Sequence, residues 1–206
     1  MFEQKFDFYS PLNLKAYNLD QIMRYQLDVL GKLDPFTRKH SENVANLCCR
    51  ICEYLRCKSS FTVHCTIGGY VHDIGKLFIP PEILNKPDKL TPEEYEVIKT
   101  HTTLGYDMCM KDPHLRPYAL FALDHHEALN GSGYPNGITK KDIPYGAQIV
   151  RVADEYDALV TKRQYTTHIN ISETLKDLIK DAQPDPRFIA LDQLNTHEKE
   201  GKINGL

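Results

Sequence analysis

The chain has 206 residues, 41% of them hydrophobic and 26% charged, and a formal net charge of −3, as in an ordinary globular protein. A net negative charge argues against general electrostatic binding to nucleic-acid duplexes or membrane surfaces. No apolar run approaches the length of a membrane span, and the first residues lack a signal-peptide core. We therefore expect a cytoplasmic protein without a membrane, DNA or RNA duplex as partner. The sequence indicates no particular oligomeric state.

Apolar residues recur at helical spacing along most of the chain, and no segment alternates as a strand does. We expect residues 1–33 to form a lead-in and one helix, residues 34–196 to form the main domain, and residues 197–206 to form a frayed tail. The predicted fold class is all-α, with at most a minor β-hairpin near Gly133-Tyr134-Pro135.

Turn and capping residues divide the main domain into predicted helices. Pro35 opens a helix that runs to about residue 56, and Ser59 and Ser60 can cap a second helix that ends at residues 72–73. Thr91-Pro92-Glu93-Glu94 carries a capping box for a third helix, which runs to about residue 110. Further helices are predicted at residues 112–126, 142–161, 172–182 and 187–194.

The stretch His72-Asp73-Ile74-Gly75-Lys76 places an imidazole, a carboxylate and an ammonium group close together. Neighbouring side chains on a helix do not share a face, so His72 and Asp73 can reach one centre only where the helix ends and the chain turns. Gly75 is predicted to make that turn with a positive φ. Lys76 then follows the turn and can hold an anion.

Further polar residues fall on the inward faces or at the ends of predicted helices. His40 precedes the apolar Val44 by one helical turn, and His101 lies on the same side as Leu104. Asp154 lies on the inner face of its helix, where an unpaired carboxylate would be costly to bury. The whole inward set comprises His40, His72, Asp73, His101, His125, His126 and Asp154.

Five imidazoles and two carboxylates exceed what one metal ion needs, and they suit two divalent ions with one carboxylate bridging them. Imidazole and carboxylate ligands without thiolate favour iron or manganese, with zinc as a further option. Two ions about 3.5–4 Å apart can activate a water and stabilise both oxygens of a phosphoryl displacement.

The remaining cysteines and histidines have no pattern that indicates a site. The six cysteines form no paired CxxC units, so we expect small apolar core residues rather than a zinc finger. The other histidines, for which we expect surface or ordinary core positions, are His64, His114, His168 and His197.

Together, four motifs resemble the HD-GYP family, a branch of the HD-domain metal-dependent phosphohydrolases. They are His72-Asp73-Ile74-Gly75-Lys76, His125-His126-Glu127, Gly133-Tyr134-Pro135 and Asp154-Glu155-Tyr156-Asp157-Ala158-Leu159. The resemblance covers about residues 34–165 and makes residues 34–196 the expected catalytic domain. It implies an HD-domain helical bundle with a dinuclear or trinuclear metal centre, and hydrolysis of the bacterial second messenger cyclic di-GMP to linear pGpG, GMP or both.

The resemblance also implies a role for each matching residue. One metal would be held by His40, His72, Asp73 and Asp154, and the other by His101, His125 and His126, with Asp73 bridging. Lys76 and Arg163 match residues that face the substrate phosphates, and both can neutralise a diester anion. Tyr134 matches the loop beside the substrate, where it can stack on a purine base or serve as a structural tyrosine.

Four positions depart from the family pattern. Phe36 stands where some members have a glutamate for a third metal, so we expect two ions rather than three. Asn130 replaces the usual aspartate before Gly-Ser-Gly-Tyr-Pro and is expected to loosen the loop, and Thr166 removes one phosphate contact. Pro184-Asp185-Pro186 alters a C-terminal Phe-Asp-Pro element. None of these changes removes a predicted metal ligand.

Two other functions stay open beside the cyclic di-GMP phosphodiesterase. One is an HD-domain enzyme acting on another substrate, either as a hydrolase of another cyclic dinucleotide or nucleotide monoester or as a diiron oxygenase. The other is an inactive cyclic-dinucleotide binding module whose metal site only supports the structure. The complete set of predicted ligands argues against the binding module, and the Gly-Tyr-Pro loop favours the phosphodiesterase.

Overall fold

The computed structural model describes the backbone of residues 31–163 and the side chains of residues 31–158. The described part is helical. Its α-helices are α1 (Pro35–Tyr54), α2 (Ser59–Val71), α3 (Pro81–Leu84), α4 (Pro92–Lys99), α5 (His101–Lys111), α6 (Ala119–Asp124) and α7 (Tyr145–Arg163). Two 3₁₀ turns, Ile74–Phe78 and Arg116–Tyr118, connect α2 to α3 and α5 to α6.

The all-α prediction is confirmed for the described residues, which form no strand. A single antiparallel bridge between Asn130 and Thr139 closes the loop that contains Gly133-Tyr134-Pro135. This bridge is the only part of the predicted minor hairpin that the described residues form. Within the described range, no helix is both long and apolar enough to cross a bilayer. The predictions for residues 1–30 and 164–206, including two closing helices, lie outside the described residues.

The helices pack around one apolar core. α1 lies along α2, α7 contacts both of them, and α5 packs against α6 and the first 3₁₀ turn. The central positions of α1 and α2 are completely buried at Val44, Cys48, Cys65 and Ile67. The cysteines of this core are thus small apolar residues, as predicted. The core brings the C-terminal end of α2 and the N-terminal end of α5 together.

Two helix boundaries were predicted wrongly. The helix that begins at Pro92 does not continue to residue 110 but ends at Lys99, and a new helix begins at His101. The hydroxyl of Thr100 donates to the carbonyl oxygen of Val97 at 2.6 Å, and the Thr100 N–H bonds the same carbonyl, so the chain tightens into a 3₁₀-like turn. Similarly, residues 112–126 contain a 3₁₀ turn before the short helix α6.

Two predicted helix caps have different outcomes. The capping box is confirmed, because Thr91 Oγ1 accepts from the Glu94 N–H while Glu94 accepts from the Thr91 N–H. The serine cap of α2 is wrong. Ser59 is already helical, and the N-cap is Lys58, whose side chain makes no capping hydrogen bond. The Lys58 carbonyl accepts from the Thr62 N–H, so the helix begins one residue earlier than a serine cap requires.

Gly75 is required for a different reason from the one predicted. Among the described residues, positive φ angles occur at Arg56, Gly131 and Gly137, and Gly75 is not one of them. A Cβ on Gly75 would instead overlap the carbonyl oxygen of His101 and come within 2.6 Å of the Gly105 amide nitrogen. The missing side chain therefore lets the His72-Asp73 segment approach the start of α5.

We expect Gly75→Ala to lower the free energy of unfolding by about 1–3 kcal/mol, because rigid backbone must move to admit the methyl group. The measurement is chemical denaturation. Asp107→Ala, at an exposed position of α5, is the control and should change stability by less than about 0.5 kcal/mol. Equal unfolding curves for Gly75→Ala and the wild type would contradict this account of Gly75.

Candidate metal centre

The seven predicted ligands converge where five segments meet. α1 contributes His40, the end of α2 contributes His72 and Asp73, and α5 begins with His101. The segment after α6 contributes His125 and His126, and α7 contributes Asp154. Each pair of adjacent ligands follows the last residue of a helix, as the sequence predicted, so both members of a pair can point toward one centre.

Asp73 lies in the middle of the cluster, and its two carboxylate oxygens face different sets of imidazoles. Oδ2 lies 3.7 Å from His40 Nε2 and 3.4 Å from His72 Nε2. Oδ1 lies 3.4 Å from His101 Nε2 and 3.9 Å from His125 Nε2. This carboxylate can therefore serve two ions at once.

Asp154 completes the side of the cluster that contains His40. Its Oδ1 lies 2.9 Å from His40 Nε2 and 3.9 Å from His72 Nε2, and its Oδ2 lies 3.9 Å from His126 Nδ1. Among the described residues, three groups have ligand atoms within 4.8 Å of one another: His40, His72 and Asp73; His101, His125 and His126; and His72, His125 and Asp154. The first two groups agree with the division between two metals that the resemblance implies.

Backbone carbonyls orient three of the imidazoles. His72, His101 and His125 each use Nδ1 to contact a carbonyl oxygen three or four residues earlier in the chain. The acceptors are Gly69, Ile98 and Phe121, at 2.7, 2.6 and 3.0 Å, and His125 Nδ1 also lies 3.0 Å from the Ala122 carbonyl. With the proton on Nδ1, the lone pair of each ring is on Nε2 and points into the cluster.

Two buried polar atoms at the centre have no hydrogen-bond partner among the described residues, namely His72 Nε2 and Asp73 Oδ1. Both residues are almost completely buried. A buried polar atom without a partner is costly, so each such atom requires an explanation. A divalent cation between these atoms would satisfy both, and the donor set therefore fits metal ions.

The protonation states of the ligands also suit cations. Burial lowers the pKa of His101, and burial together with neighbouring imidazoles lowers the pKa of His125 and His126 further. These rings are therefore neutral at neutral pH, as metal ligands must be. Burial alone would raise the pKa of Asp73, but the adjacent Lys76 ammonium group opposes it and the pKa stays well below the usual value, so the group is a carboxylate.

His40 differs from the other imidazoles because it lies between two carboxylates. Its Nδ1 is 2.7 Å from Asp157 Oδ2, and its Nε2 is the atom next to Asp154. Burial by itself lowers the pKa of His40, but the two carboxylates raise it to about 10. In the metal-free protein His40 therefore carries a proton, and a cation bound at Nε2 would take that proton's place.

Asp157 has a structural role that was not predicted from the sequence. It is buried on α7, holds His40 through Oδ2, and accepts from Asn43 Nδ2 at 3.0 Å through Oδ1. The signal was present, because Asp157 follows Asp154 by three residues and so lies on the same face of the helix. An orienting carboxylate on a metal-ligating histidine fixes the ring and raises its basicity.

We expect Asp157→Ala to weaken metal binding at His40 by about 10–100-fold, because the ring loses the group that orients it. The measurement is competition for Mn²⁺ between the protein and a chromogenic chelator. Asp157→Asn is the matched variant, since its amide oxygen can still accept from His40 Nδ1–H, and it should bind metal more tightly than Asp157→Ala. Equal affinities for wild type and Asp157→Ala would contradict this role.

Glu127 fixes the loop that contains Gly133-Tyr134-Pro135, a role that was not predicted from the sequence. Its side chain is 1% exposed. Its two oxygens accept from three backbone N–H groups of the loop, those of Asn136, Gly137 and Ile138, at 2.6, 3.1 and 3.1 Å. Asn130 Oδ1 accepts hydrogen bonds from the backbone N–H and the hydroxyl of Ser132. An aspartate at this position could form the same side-chain turn. The loop is therefore held against the residues that follow α6.

Tyr134 contacts a predicted ligand directly. Its ring stacks on the His126 ring with centroids 4.7 Å apart and an interplanar angle of 25°. Lys99 Nζ lies 5.7 Å from the centroid of the Tyr134 ring. One face of Tyr134 is thus covered by His126, and the tyrosine supports the position of that imidazole.

A cleft of about 270 Å³ leads from the surface to the cluster. His40, Lys76, His126 and Asp154 form its inner part. Lys76 Nζ lies 2.5 Å from Asp73 Oδ2. Burial alone would lower the pKa of Lys76, but the Asp73 carboxylate raises it, so the ammonium group is charged at neutral pH. Arg163 is the last residue of α7, and its side chain lies outside the described part.

Comparison with known proteins agrees with this geometry. The HD domain family matches residues 25–188. A cyclic di-GMP phosphodiesterase of Thermotoga maritima is 39% identical over 158 residues, which are 74% of this chain and 43% of that protein. A 3′3′-cGAMP-specific phosphodiesterase of Vibrio cholerae is 33% identical over 169 residues, which are 81% of this chain and 39% of that protein. The chain thus spans less than half the length of these curated relatives.

A solved structure shows the same fold. Bd1817, a HDG"Y"P protein from Bdellovibrio bacteriovorus, superposes with a TM-score of 0.65 at 22% identity, covering 92% of this chain and 66% of that chain. The predicted resemblance to HD-GYP proteins is confirmed by these relatives, and the HD family match covers most of the sequence. This chain belongs to the HD-domain family.

Proposed function

We propose that this chain is a metal-dependent phosphodiesterase that hydrolyses cyclic di-GMP to linear pGpG, GMP or both. The observation that carries the proposal is the position of Asp73. Its two oxygens face two different imidazole groups, and Lys76 lies beside it at the bottom of a cleft. A carboxylate shared between two cations, next to a fixed positive charge, is suited to phosphoryl displacement.

The residues divide into two proposed metal sites. His40, His72, Asp73 and Asp154 would hold one ion. The second ion would be held by His101, His125 and His126, with Asp73 bridging both. When bound, the ions would supply Lewis-acid activation of a water and neutralise charge on the phosphodiester.

The other residues bind and orient the substrate in this proposal. The Lys76 ammonium group has three donors, of which one contacts Asp73, so it can also donate to a phosphate oxygen in the cleft. Arg163 is proposed to contact the phosphates as well, from the end of α7. Tyr134 is proposed to lie beside the substrate while it supports His126.

The donor chemistry supports iron or manganese, with zinc as a further option, because the described centre contains imidazole and carboxylate groups and no thiolate. We propose two ions rather than three. Phe36 lines the cleft beside His40, and a phenyl ring offers no ligand there.

A cytoplasmic location is part of the proposal, and it is supported by the buried thiols of Cys48, Cys52, Cys65 and Cys109, which form no disulfide.

A second substrate has specific support. The Vibrio cholerae relative that covers 81% of this chain is named for 3′3′-cGAMP, a cyclic dinucleotide with one adenine and one guanine. An oxygenase is a less favoured alternative, because the charged Lys76 at the cleft suits an anionic substrate. An inactive binding module is less favoured because all seven predicted ligands belong to the adjoining groups at this centre.

The test is turnover by purified protein reconstituted separately with Fe²⁺ and Mn²⁺ under reducing conditions. Cyclic di-GMP and 3′3′-cGAMP are supplied in parallel, products are separated by chromatography, and metal content is measured by elemental analysis. We expect turnover of cyclic di-GMP that is independent of O₂ and abolished by a chelator. The proposal fails if fully metallated protein leaves both dinucleotides intact. If only 3′3′-cGAMP is hydrolysed, the proposed substrate becomes 3′3′-cGAMP instead of cyclic di-GMP.

A further inference from the structure

One large aromatic side chain at the mouth of the cleft has no partner in the mechanism. Phe36 is 70% exposed, which is the largest exposure of any described large hydrophobic residue. It lines the cleft that leads to His40, Lys76 and Asp154. An exposed apolar residue is ordinary by itself, but one beside a charged ligand cleft is a candidate for ligand contact.

The backbone around Phe36 is held firmly. Pro35 is the first residue of α1, and Asp34 is its N-cap. Asp34 Oδ1 accepts from the Phe36 N–H and from the Thr37 N–H, both at 3.0 Å. Thr37 is buried. Phe36 therefore stands on a fixed helix start, so that contact with its ring requires little ordering of the backbone.

The other described aromatic near the centre is less open. One face of Tyr134 is covered by His126, and burial raises the pKa of its hydroxyl. The other described large hydrophobic residues that are exposed do not line this cleft: Phe78, Tyr95, Met110 and Leu120. Within the described part of the chain, Phe36 is thus the exposed large aromatic side chain that lines the same cleft as Lys76.

We propose that Phe36 stacks on a purine base of the substrate. This inference rests on the proposed function and names how that site would recognise a dinucleotide. The cleft, at about 270 Å³, lies near the lower end of small-molecule sites, so it would hold the phosphate and its sugar while the base extends to the mouth. There the flat ring of Phe36 offers stacking that every purine can use, since stacking does not depend on hydrogen-bond pattern.

The first test uses two probes to separate the contribution of the base to binding from that of the phosphate and sugar. GMP carries a base, a ribose and a phosphate, and ribose 5-phosphate carries the same groups without the base. Affinities are measured by calorimetry on Mn²⁺-reconstituted protein. We expect the wild type to prefer GMP, and the preference to fall by about 10-fold in Phe36→Leu, which keeps the apolar bulk and loses the π-face.

Two further variants serve as controls. Phe36→Tyr keeps an aromatic ring and should retain the preference for GMP. Phe78→Leu removes an exposed aromatic residue outside the cleft and should also retain it. Thermal melting confirms that each variant is folded, and Phe36→Ala is measured beside Phe36→Leu as a second variant that loses the ring.

Kinetics supply the second readout. With cyclic di-GMP, Phe36→Leu should raise KM by about 10-fold and change kcat by less than about twofold, because the base is distant from the reacting phosphate. A GMP preference that is absent in the wild type, or unchanged in both Phe36→Leu and Phe36→Ala, overturns the inference even if cyclic di-GMP is hydrolysed. If no dinucleotide is hydrolysed but the GMP preference depends on Phe36, the proposed function fails and the stacking role stands.

Discussion

Asp73→Ala is expected to lose both metal ions and all measurable turnover. Each oxygen of Asp73 faces one group of imidazoles, so the substitution removes a ligand from both proposed sites. The loss of activity should exceed the about 10²–10³-fold cost of removing one oxyanion contact, because the water-activating ions are lost as well. Elemental analysis of protein purified with added Mn²⁺ gives the metal content, and the turnover assay gives the rate.

Asp154→Ala is the matched control for that experiment. Asp154 Oδ1 contacts His40 and lies near His72, on one side of the centre. We therefore expect this variant to keep the ion held by His101, His125 and His126 while it loses the other. A bridging role for Asp73 is contradicted if Asp73→Ala retains as much metal as Asp154→Ala. Thermal melting of both variants shows whether a loss of metal reflects the site or a loss of folding.

Lys76→Ala is expected to stay folded and fully metallated, and to hydrolyse cyclic di-GMP about 10²–10³-fold more slowly. The ammonium group is charged at neutral pH and lines the cleft, where in the proposed reaction it would face the charge that develops on a phosphate oxygen. The substitution removes a fixed donor and no ligand. Metal content and kcat/KM are measured on the same preparation.

Lys39→Ala is the control, because Lys39 lines the same cleft but its side chain is 60% exposed, where water and salt screen its charge. It should reduce kcat/KM by less than about threefold, in keeping with the small value of exposed charges. Arg163→Ala carries the same expectation as Lys76→Ala through the resemblance. Hydrolysis of cyclic di-GMP at the wild-type rate in Lys76→Ala would contradict the proposed role of Lys76 in phosphate recognition, and dependence of the activity on O₂ would indicate an oxygenase.

Local sequence patterns predicted two helix starts correctly and one wrongly, the serine cap of α2. The capping box at Thr91 and the proline at the start of α1 were both recognisable, because each acts through neighbours within one turn. The break at Thr100 was missed. A threonine hydroxyl can bond a backbone carbonyl of the preceding turn, or the helix can continue past it. Which of the two occurs depends on how the following helix packs, and the local sequence does not reveal that packing.

The candidate site likewise has features that local sequence patterns predict and features that depend on how the helices pack. The sequence by itself identified the predicted ligands, because His72-Asp73 and His125-His126 each follow a helix and Asp154 lies on an inward face. Their assembly around Asp73 was an inference from family resemblance until the fold brought five segments together. Ligand types and local geometry are properties of short stretches, and these can be read from spacing alone.

Only the tertiary structure decided the groups that support those ligands. Asp157 reaches His40 across 117 residues of sequence, and Gly75 is needed because α5 passes against it rather than because of its own φ. Glu127 holds a loop whose N–H groups lie nine to eleven residues away. Such contacts join atoms that the chain brings together only when the core packs, so the sequence contains the donors and acceptors without indicating which of them pair.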